Sequence, residues 1–225
     1  MYLIVRKGSG ATYGELLAAA AQATVACATT YASSAKWGEA MSEWYEQSFR
    51  KVTLRADESE WEKLARFTGS RALVAGQEVL AALPPRRKSE REPLLRRLQV
   101  FNADSASLPE KKVRELARFP NLLVVMNGHV EMSAGKAIAQ VGHAALAAIR
   151  DTDPHALTLW QRKGCPVDIA AAGETQWGLL RALPEACLIR DNGLTEVDPG
   201  TETALAFPPS LRPVEPALVR SLARP

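Results

Sequence analysis

Three polar side chains recur at helical spacing in residues 132–146, MSAGKAIAQVGHAAL. Lys136, Gln140 and His143 occupy positions i, i+4 and i+7, so a period of 3.6 residues places them on one face of a helix. The remaining positions are mostly small or apolar, which is typical of a buried helix. A lysine in the first turn opposes the helix dipole, so helix stability does not explain it. The spacing predicts that this face serves a functional site.

A second polar segment follows a short apolar run near the C-terminal end of the chain. Arg190 and Asp191 come directly after that predicted strand, and the carboxyl ends of strands in open α/β sheets are where ligands bind. An Asn-Gly turn follows, then Thr195 and Thr203. We expect a hairpin over residues 189–203 to hold Asp191 and the two threonines close together. Taken alone, such a turn is more often structural than functional.

Composition limits the classes of protein to consider. The 225 residues are 47% hydrophobic and 24% charged, as in a soluble globular protein, and no apolar run approaches the ~20 residues of a membrane span. No signal peptide is recognisable, and Cys27, Cys165 and Cys187 lack CxxC spacing. We therefore expect a cytoplasmic protein without disulfides, metal or cofactor, since no metal-ligand spacing, P-loop or dinucleotide fingerprint is present.

Positive charge is concentrated in the first half of the chain. Residues 1–120 contain 19 Lys and Arg against 14 Asp and Glu, whereas residues 121–225 contain 9 against 11. The run 84–97, PPRRKSEREPLLRR, is locally basic. Arg86, Arg87 and Lys88 are candidates for contacts with nucleic-acid phosphates, the alternative being a solvated loop.

The chain repeats one order of predicted elements. Each half begins with a buried strand (residues 2–6 and 121–127) and continues as β-α-α-β-α-β-β, with Trp44 matching Trp160 and Trp61 matching Trp177. The last strands are matched as residues 98–101 and 204–207. This pattern predicts an α/β protein of two tandem units, each with a mostly parallel sheet covered by helices on both faces. The expected units are 1–101 and 121–225, joined by a partly helical linker over 102–120.

The two predicted copies differ in their polar residues. If Gln22 is matched to Gln140, Ala18 lies opposite Lys136 and Val25 opposite His143. Ala75 and Gly76 stand opposite Arg190 and Asp191. The first copy is therefore apolar where the second is polar, which favours function over folding as the reason for the polar residues.

These residues also carry a resemblance. MSAGKAIAQVGHAAL followed by CLIRDNGLTEVDPGTETALAF resembles the type II peptidyl-tRNA hydrolases of archaea and eukaryotes, over about residues 121–222. The family's Arg-x-Asp-Leu ahead of the helix is Asn-Gly-His-Val here (residues 127–130). The first copy resembles a degenerate member. The resemblance implies that each unit is a three-layer α/β/α unit with a mixed four-stranded sheet between helices. Because family members are often homodimers, it also implies a monomeric internal pseudo-dimer rather than a homodimer.

The resemblance also implies an activity, hydrolysis of the ester that joins a peptide to tRNA. Asp191 would orient or deprotonate water, and Lys136 would stabilise the oxyanion or hold a phosphate. Gln140 and Arg190 would bind substrate together with the basic run. The alternative is a non-catalytic tRNA- or RNA-binding scaffold that kept the fold. The remaining family positions are carried over as catalytic: His143, Thr195 and Thr203.

Overall fold

Two mixed β-sheets with helices form the computed structural model, which describes residues 1–102, 121–150, 152–209 and 222. The predicted linker helix lies outside these residues. Within them, no helix is both long and apolar enough to cross a membrane. We call the first sheet with its helices the N-terminal unit and the second sheet with its helices the C-terminal unit.

The N-terminal unit contains five strands and four α-helices. Its strands are β1 (Tyr2–Arg6), β2 (Val52–Ala56), β3 (Ser70–Val74), β4 (Gln77–Leu83) and β5 (Gln99–Val100). Its helices are α1 (Tyr13–Tyr31), α2 (Gly38–Glu43), α3 (Glu58–Leu64) and α4 (Pro93–Arg97), with a π-turn at Trp44–Ser48 and a 3-10 turn at Lys88–Glu90. The strand order is β3-β4-β1-β2-β5, and β1 runs parallel to β2 and antiparallel to β4.

The C-terminal unit repeats this arrangement with four strands. They are β6 (Leu122–Asn127), β7 (Val167–Ala172), β8 (Cys187–Arg190) and β9 (Glu202–Phe207). Its helices are α5 (Ala134–Arg150), α6 (Pro154–Arg162) and α7 (Glu174–Arg181). The order β7-β6-β9-β8 pairs β6 with β7 in parallel and with β9 antiparallel, as β1 pairs with β2 and β4. The predicted duplication of an α/β unit is confirmed. The mixed sheets agree with the resemblance, whereas the expectation of mostly parallel sheets from the element order was wrong, because the last two strands follow each other without a helix and pair antiparallel.

The N-terminal sheet differs from the prediction by one strand. Its β5 lies antiparallel to β2 at the sheet edge, so this sheet has five strands rather than four. The counterpart of β9 is β4, and the matching of residues 98–101 with 204–207 was wrong. The reason is burial: the apolar end of β4 is enclosed between two strands, whereas Gln99 and Val100 are exposed. A short exposed pair of residues fits only an edge.

The two units pack through α1 and α5, which contact each other along an apolar core shared by both units. The first matched pair of tryptophans, Trp44 and Trp160, makes the same hydrogen bond in each unit. The Trp44 indole donates to the carbonyl of Arg50 at 2.7 Å, and the Trp160 indole donates to that of Pro166 at 2.8 Å. The chain therefore folds as an internal pseudo-dimer whose units face each other through equivalent helices.

The first turns of α1 and α5 fix how the two helices correspond. Thr12 caps α1, and its Oγ1 accepts from the amide of Glu15 at 3.3 Å. Ser133 holds the same place at α5, where its Oγ accepts from the amide of Lys136 at 3.2 Å. Thr12 therefore corresponds to Ser133, and Glu15 corresponds to Lys136.

This correspondence corrects the matching made from sequence. Gln22 is equivalent to His143 and not to Gln140, an error of three residues that keeps the residue near the same helix face. The counterpart of Gln140 is Ala19. The inference that only the C-terminal unit carries the polar set is unaffected, but no amide is shared at this position.

Candidate active site

An ion pair joins the two polar segments that the sequence singled out. Lys136, in the first turn of α5, places Nζ 2.7 Å from Oδ2 of Asp191, directly after β8. The two side chains are only 10% and 9% exposed. Asp191 lies there because its amide donates to the carbonyl of Thr201 across the loop at 2.9 Å. The helix and the hairpin thus bring an ammonium and a carboxylate together at the edge of the sheet.

Two buried side chains orient Asp191 from below. Gln140 Nε2 donates to Asp191 Oδ2 at 2.5 Å, and Thr203 Oγ1 donates to Gln140 Oε1 at 2.8 Å. Gln140 is 3% exposed and Thr203 is fully buried. Because the threonine hydroxyl holds the amide oxygen, the amide nitrogen turns toward the carboxylate. The structure brings both predicted residues to Asp191, where Gln140 contacts the carboxylate directly and Thr203 acts through Gln140.

Lys136 also contacts the exposed loop between β8 and β9. Its Nζ donates to Thr195 Oγ1 at 2.8 Å. An ammonium has three N–H bonds, of which Asp191 and Thr195 take two, so one remains for a ligand. Thr195 accepts from the lysine and keeps its own hydroxyl hydrogen for donation. The structure therefore joins five of the six family positions in one network: Lys136, Gln140, Asp191, Thr195 and Thr203.

Glu196 closes this network, and the sequence analysis did not single it out. Its carboxylate accepts from the amide and hydroxyl of Ser133 at 2.7 and 2.8 Å. In α1, the carboxylate of Glu15, which lies within the helix itself, accepts the corresponding bonds from the amide and hydroxyl of Thr12. Because Lys136 replaces that glutamate in α5, the loop supplies the capping carboxylate and the lysine is released toward Asp191.

His143 contacts the N-terminal unit. Its Nδ1 lies 2.9 Å from Nζ of Lys51, and its ring packs on Phe49 with centroids 4.8 Å apart. Burial lowers the pKa of His143 well below its usual value, and the positive charges of Lys51 and Lys136 lower it further. Burial likewise lowers the pKa of Lys51 well below that of a free lysine. Lys51 was not predicted as a site residue, because nothing near it in the chain resembles a motif.

These groups line one cleft of about 660 Å³ between the two units. The C-terminal unit provides the ion pair, His143 and the loop to Glu196, while the N-terminal unit provides residues 48–53 and 100–102. Three of its lining side chains are large, apolar and exposed: Val52, Val100 and Leu194. The cleft thus combines a polar floor with an apolar rim, a mixture suited to a ligand with both kinds of surface.

The predicted cationic residues occupy different places. Arg190 lines the cleft but is 60% exposed and donates to Glu202 at 3.1 Å. The guanidinium of Arg86 stacks on Trp37 at 4.9 Å, pairs with Glu92 and is 4% exposed, so its proposed phosphate contact is wrong. Arg87 is 70% exposed and pairs with Glu43, and Lys88 is exposed. Of the three residues predicted to contact phosphates, only Arg87 and Lys88 are therefore exposed enough to do so.

Comparison with known proteins identifies the family. The family model described as peptidyl-tRNA hydrolase PTH2 matches residues 1–100 and residues 121–222. The chain belongs to this family. It is 30% identical over 128 residues to a probable peptidyl-tRNA hydrolase 2 of Drosophila melanogaster, covering 52% of this chain and 68% of the relative. It is 37% identical over 87 residues to a peptidyl-tRNA hydrolase of Halobacterium salinarum, covering 36% and 78%.

A third peptidyl-tRNA hydrolase relative is named for a compartment. The chain is 32% identical over 104 residues to peptidyl-tRNA hydrolase 2, mitochondrial, of Mus musculus, covering 42% of this chain and 56% of the relative. The family match in two regions agrees with the duplicated fold. Among the described residues no three His, Cys, Asp or Glu side chains are arranged to hold a metal ion.

Proposed function

We propose that this protein hydrolyses the ester bond between a peptide and the 3′ ribose of tRNA, at the cleft between its units. The observation that carries the proposal is the Lys136–Asp191 pair, 2.7 Å apart and held on every side by the network around it. An ester hydrolase needs a group that accepts a proton from water and a donor for the oxyanion. This pair supplies one of each.

Asp191 acts as the general base. A carboxylate has about four acceptor sites, and those of Asp191 receive Lys136, Gln140 and the amide of Gly193 at 2.8 Å, which leaves one for water. The water oxygen forms a bond to the ester carbonyl carbon while its proton passes to Asp191. As the bond to the 3′ oxygen breaks, that proton moves to the leaving oxygen. Peptide acid and free tRNA result.

Lys136 stabilises the negative charge that develops on the carbonyl oxygen. Its third N–H is directed by the two bonds already made, and the hydroxyl of Thr195 beside it provides a second donor. Preorganised donors of this kind gain strength where water is excluded, as at a side chain that is one-tenth exposed.

Two substitutions test the assignment. We expect Asp191→Asn and Lys136→Met each to lower kcat for an N-acetylated aminoacyl-tRNA at least about 100-fold. Ester cleavage is followed by release of the free acid. Asp198→Asn, the same chemical change on an exposed residue of the same loop, should stay near the wild-type rate. Near-wild-type rates for both site variants would refute the assignment; tRNA binding by the wild type without cleavage would favour the scaffold alternative.

We further propose that residues 1–101 and 121–225 are the two copies, and that the chain works as a monomer. The support is the α1–α5 contact: the helix face through which two identical subunits would meet is already filled inside one chain. Light scattering after size exclusion should give the mass of one chain, 24.4 kDa. A stable dimer at micromolar concentration would contradict this prediction.

We place the protein in the cytoplasm. The substrate belongs to translation, and none of the three cysteines, all of which the structure describes, is paired in a disulfide, as expected in a reducing compartment.

A further inference from the structure

A residue of the N-terminal unit reaches into the site of the C-terminal unit. Lys51 precedes β2, and its Nζ lies 2.9 Å from Nδ1 of His143 on α5. Both side chains are half-buried and both line the cleft. The pseudo-symmetric position holds no such amine, because the residue equivalent to Lys51 is Val167. The contact therefore exists once in the molecule.

The surroundings of Lys51 are built to receive it. Gly142, next to His143, has no side chain, and a Cβ there would lie 3.1 Å from Cδ and Cε of Lys51. The amine lies over the rings of Phe49 and Trp44, at 4.1 and 4.9 Å from their centroids. Aromatic faces attract a cation, so they partly offset the cost of burying the amine. The glycine and the rings together define one place for the lysine.

The position of Lys51 beside His143 determines the charge of the imidazole and which of its nitrogens carries hydrogen. Two positive charges cannot both persist 2.9 Å apart at low solvent exposure, and Lys136 and the Met1 amino group add to the field on His143. Asp191, the carboxylate of the ion pair, is paired with Lys136. Since lysine is the stronger base, the amine donates and His143 Nδ1 accepts. The imidazole then stays uncharged and carries its hydrogen on Nε2.

His143 lines the cleft, which is where that hydrogen can meet an acceptor. Within the described part of the chain, His143 Nε2 has no protein partner, and it is not among the enclosed polar atoms that lack one. An uncharged N–H donor facing a substrate cleft suits an oxygen acceptor of the substrate, such as a ribose hydroxyl or a carbonyl.

We propose that Lys51 is a positioning residue supplied by the N-terminal unit, which holds His143 uncharged with its N–H directed at the substrate. Only the effect on cleavage rests on the proposed function; the protonation of His143 does not. The degenerate copy thereby acquires a defined task in the intact site.

Nuclear magnetic resonance of the three histidines tests the protonation directly. With imidazole nitrogens labelled, the wild type should show His143 with hydrogen on Nε2 and a pKa well below that of an ordinary imidazole. Lys51→Met removes both the donor and the charge, so the pKa of His143 should rise toward its ordinary value and both tautomers should appear. Lys7→Met, the same change on an exposed lysine outside the cleft, should leave His143 unchanged.

Gly142→Ala is the second variant, because it keeps both residues and crowds the lysine stem; its Cβ would also lie 2.9 Å from Thr24 Oγ1, so that side chain must shift as well. It should move the His143 signals in the same direction as Lys51→Met. In cleavage assays both variants should lose about tenfold in kcat near pH 7, with a larger loss at lower pH as His143 becomes protonated.

Hydrogen on Nδ1 in the wild type, or an unchanged His143 pKa in both variants, would overturn the proposal. An altered pKa with an unaltered pH profile of cleavage would overturn its functional half. A wild type without any cleavage would refute the proposed function and leave the protonation result standing.

Discussion

At the scale of single residues, the site is a series of hydrogen-bonded side chains in which each one orients the next. Thr203 fixes the amide of Gln140, and that amide fixes one oxygen of Asp191 beside Lys136. Thr203 is fully buried, so it acts only through its neighbours. These residues therefore have different roles in the proposed mechanism: Lys136 would contact the substrate, and Thr203 orients Gln140 and, through it, Asp191.

This order predicts the outcome of Thr203→Val, which removes the hydroxyl and keeps the shape. Gln140 Oε1 loses its donor and the amide can rotate, so we expect kcat to fall about tenfold with little change in KM, equivalent to about 1.4 kcal/mol. Steady-state kinetics at saturating peptidyl-tRNA measures this. Thr201→Val removes a hydroxyl that bonds only the carbonyl of Asp198, and its kcat should stay within about twofold. Equal losses in both variants would disprove the ordering.

Individual residue types in the site were predictable from sequence, whereas their partners were not. The period of α5 sufficed to place Lys136 and Gln140 on one face, and the turn after β8 sufficed to place Asp191. Lys51 and Glu196 escaped prediction because each meets its partner through a distant segment, His143 across the unit interface and Ser133 across a loop. Periodicity reports which face a residue occupies, and it does not report what approaches that face.

At the scale of elements, the two units differ most in how the last two strands are joined. In the N-terminal unit, Val74 pairs with Gln77, so Ala75 and Gly76 alone make the turn, both with positive φ. In the C-terminal unit, residues 191–201 separate β8 from β9 and supply Asp191, Thr195 and Glu196. The short turn leaves no loop to reach the equivalent helix, which accounts for the loss of a site in the first unit.

The same comparison explains the error of three residues in matching α1 to α5. Both helices are rich in alanine, so several registers give similar apolar patterns, and Gln22 offered a false landmark. The caps Thr12 and Ser133 decide the register, and cap geometry is a local feature that only the coordinates display. The positions of the buried strands along the chain were predictable for the opposite reason. A strand buried on both faces needs an uninterrupted apolar run, which is visible in the sequence.

At α5 the capping carboxylate comes from the loop residue Glu196, and this contact leads to a prediction about the loop. Glu196→Ala removes the carboxylate that holds the loop to Ser133, so Thr195 and Asp191 lose a fixed position over Lys136. We expect a loss of about 1 kcal/mol in the free energy of unfolding and about a tenfold loss in kcat. Urea denaturation and cleavage kinetics measure the two effects.

Glu15→Ala is the matched control, since it removes the same cap from α1. It should cost about the same stability and leave cleavage near the wild-type rate. If Glu196→Ala changes stability alone, the loop does not organise the site.

At the scale of the whole molecule, the two units of the duplication contribute different parts of the cleft. The mildly acidic C-terminal unit holds the ion pair, and the basic N-terminal unit forms the other wall of the cleft. The basic run begins just after Leu83, which pairs with Tyr2, and Tyr2 also pairs with Val52 on the cleft wall. Arg87 and Lys88 therefore lie at the end of the first sheet that faces the cleft. A tRNA whose acceptor end enters the cleft would pass its phosphates over this end.

Salt dependence tests this placement, with the buried Arg86 left intact. Each lost phosphate contact lowers the slope of log K against log salt by roughly 0.7 to 0.9, so Arg87→Gln with Lys88→Gln should flatten it by about 1.5. Filter binding of tRNA between about 50 and 200 mM salt measures the slope. Arg6→Gln with Lys7→Gln removes the same charge at the opposite end of β1 and should leave the slope unchanged. Equal flattening by the two double variants would mean that tRNA senses only net charge, and the N-terminal unit would then have no directed role in docking.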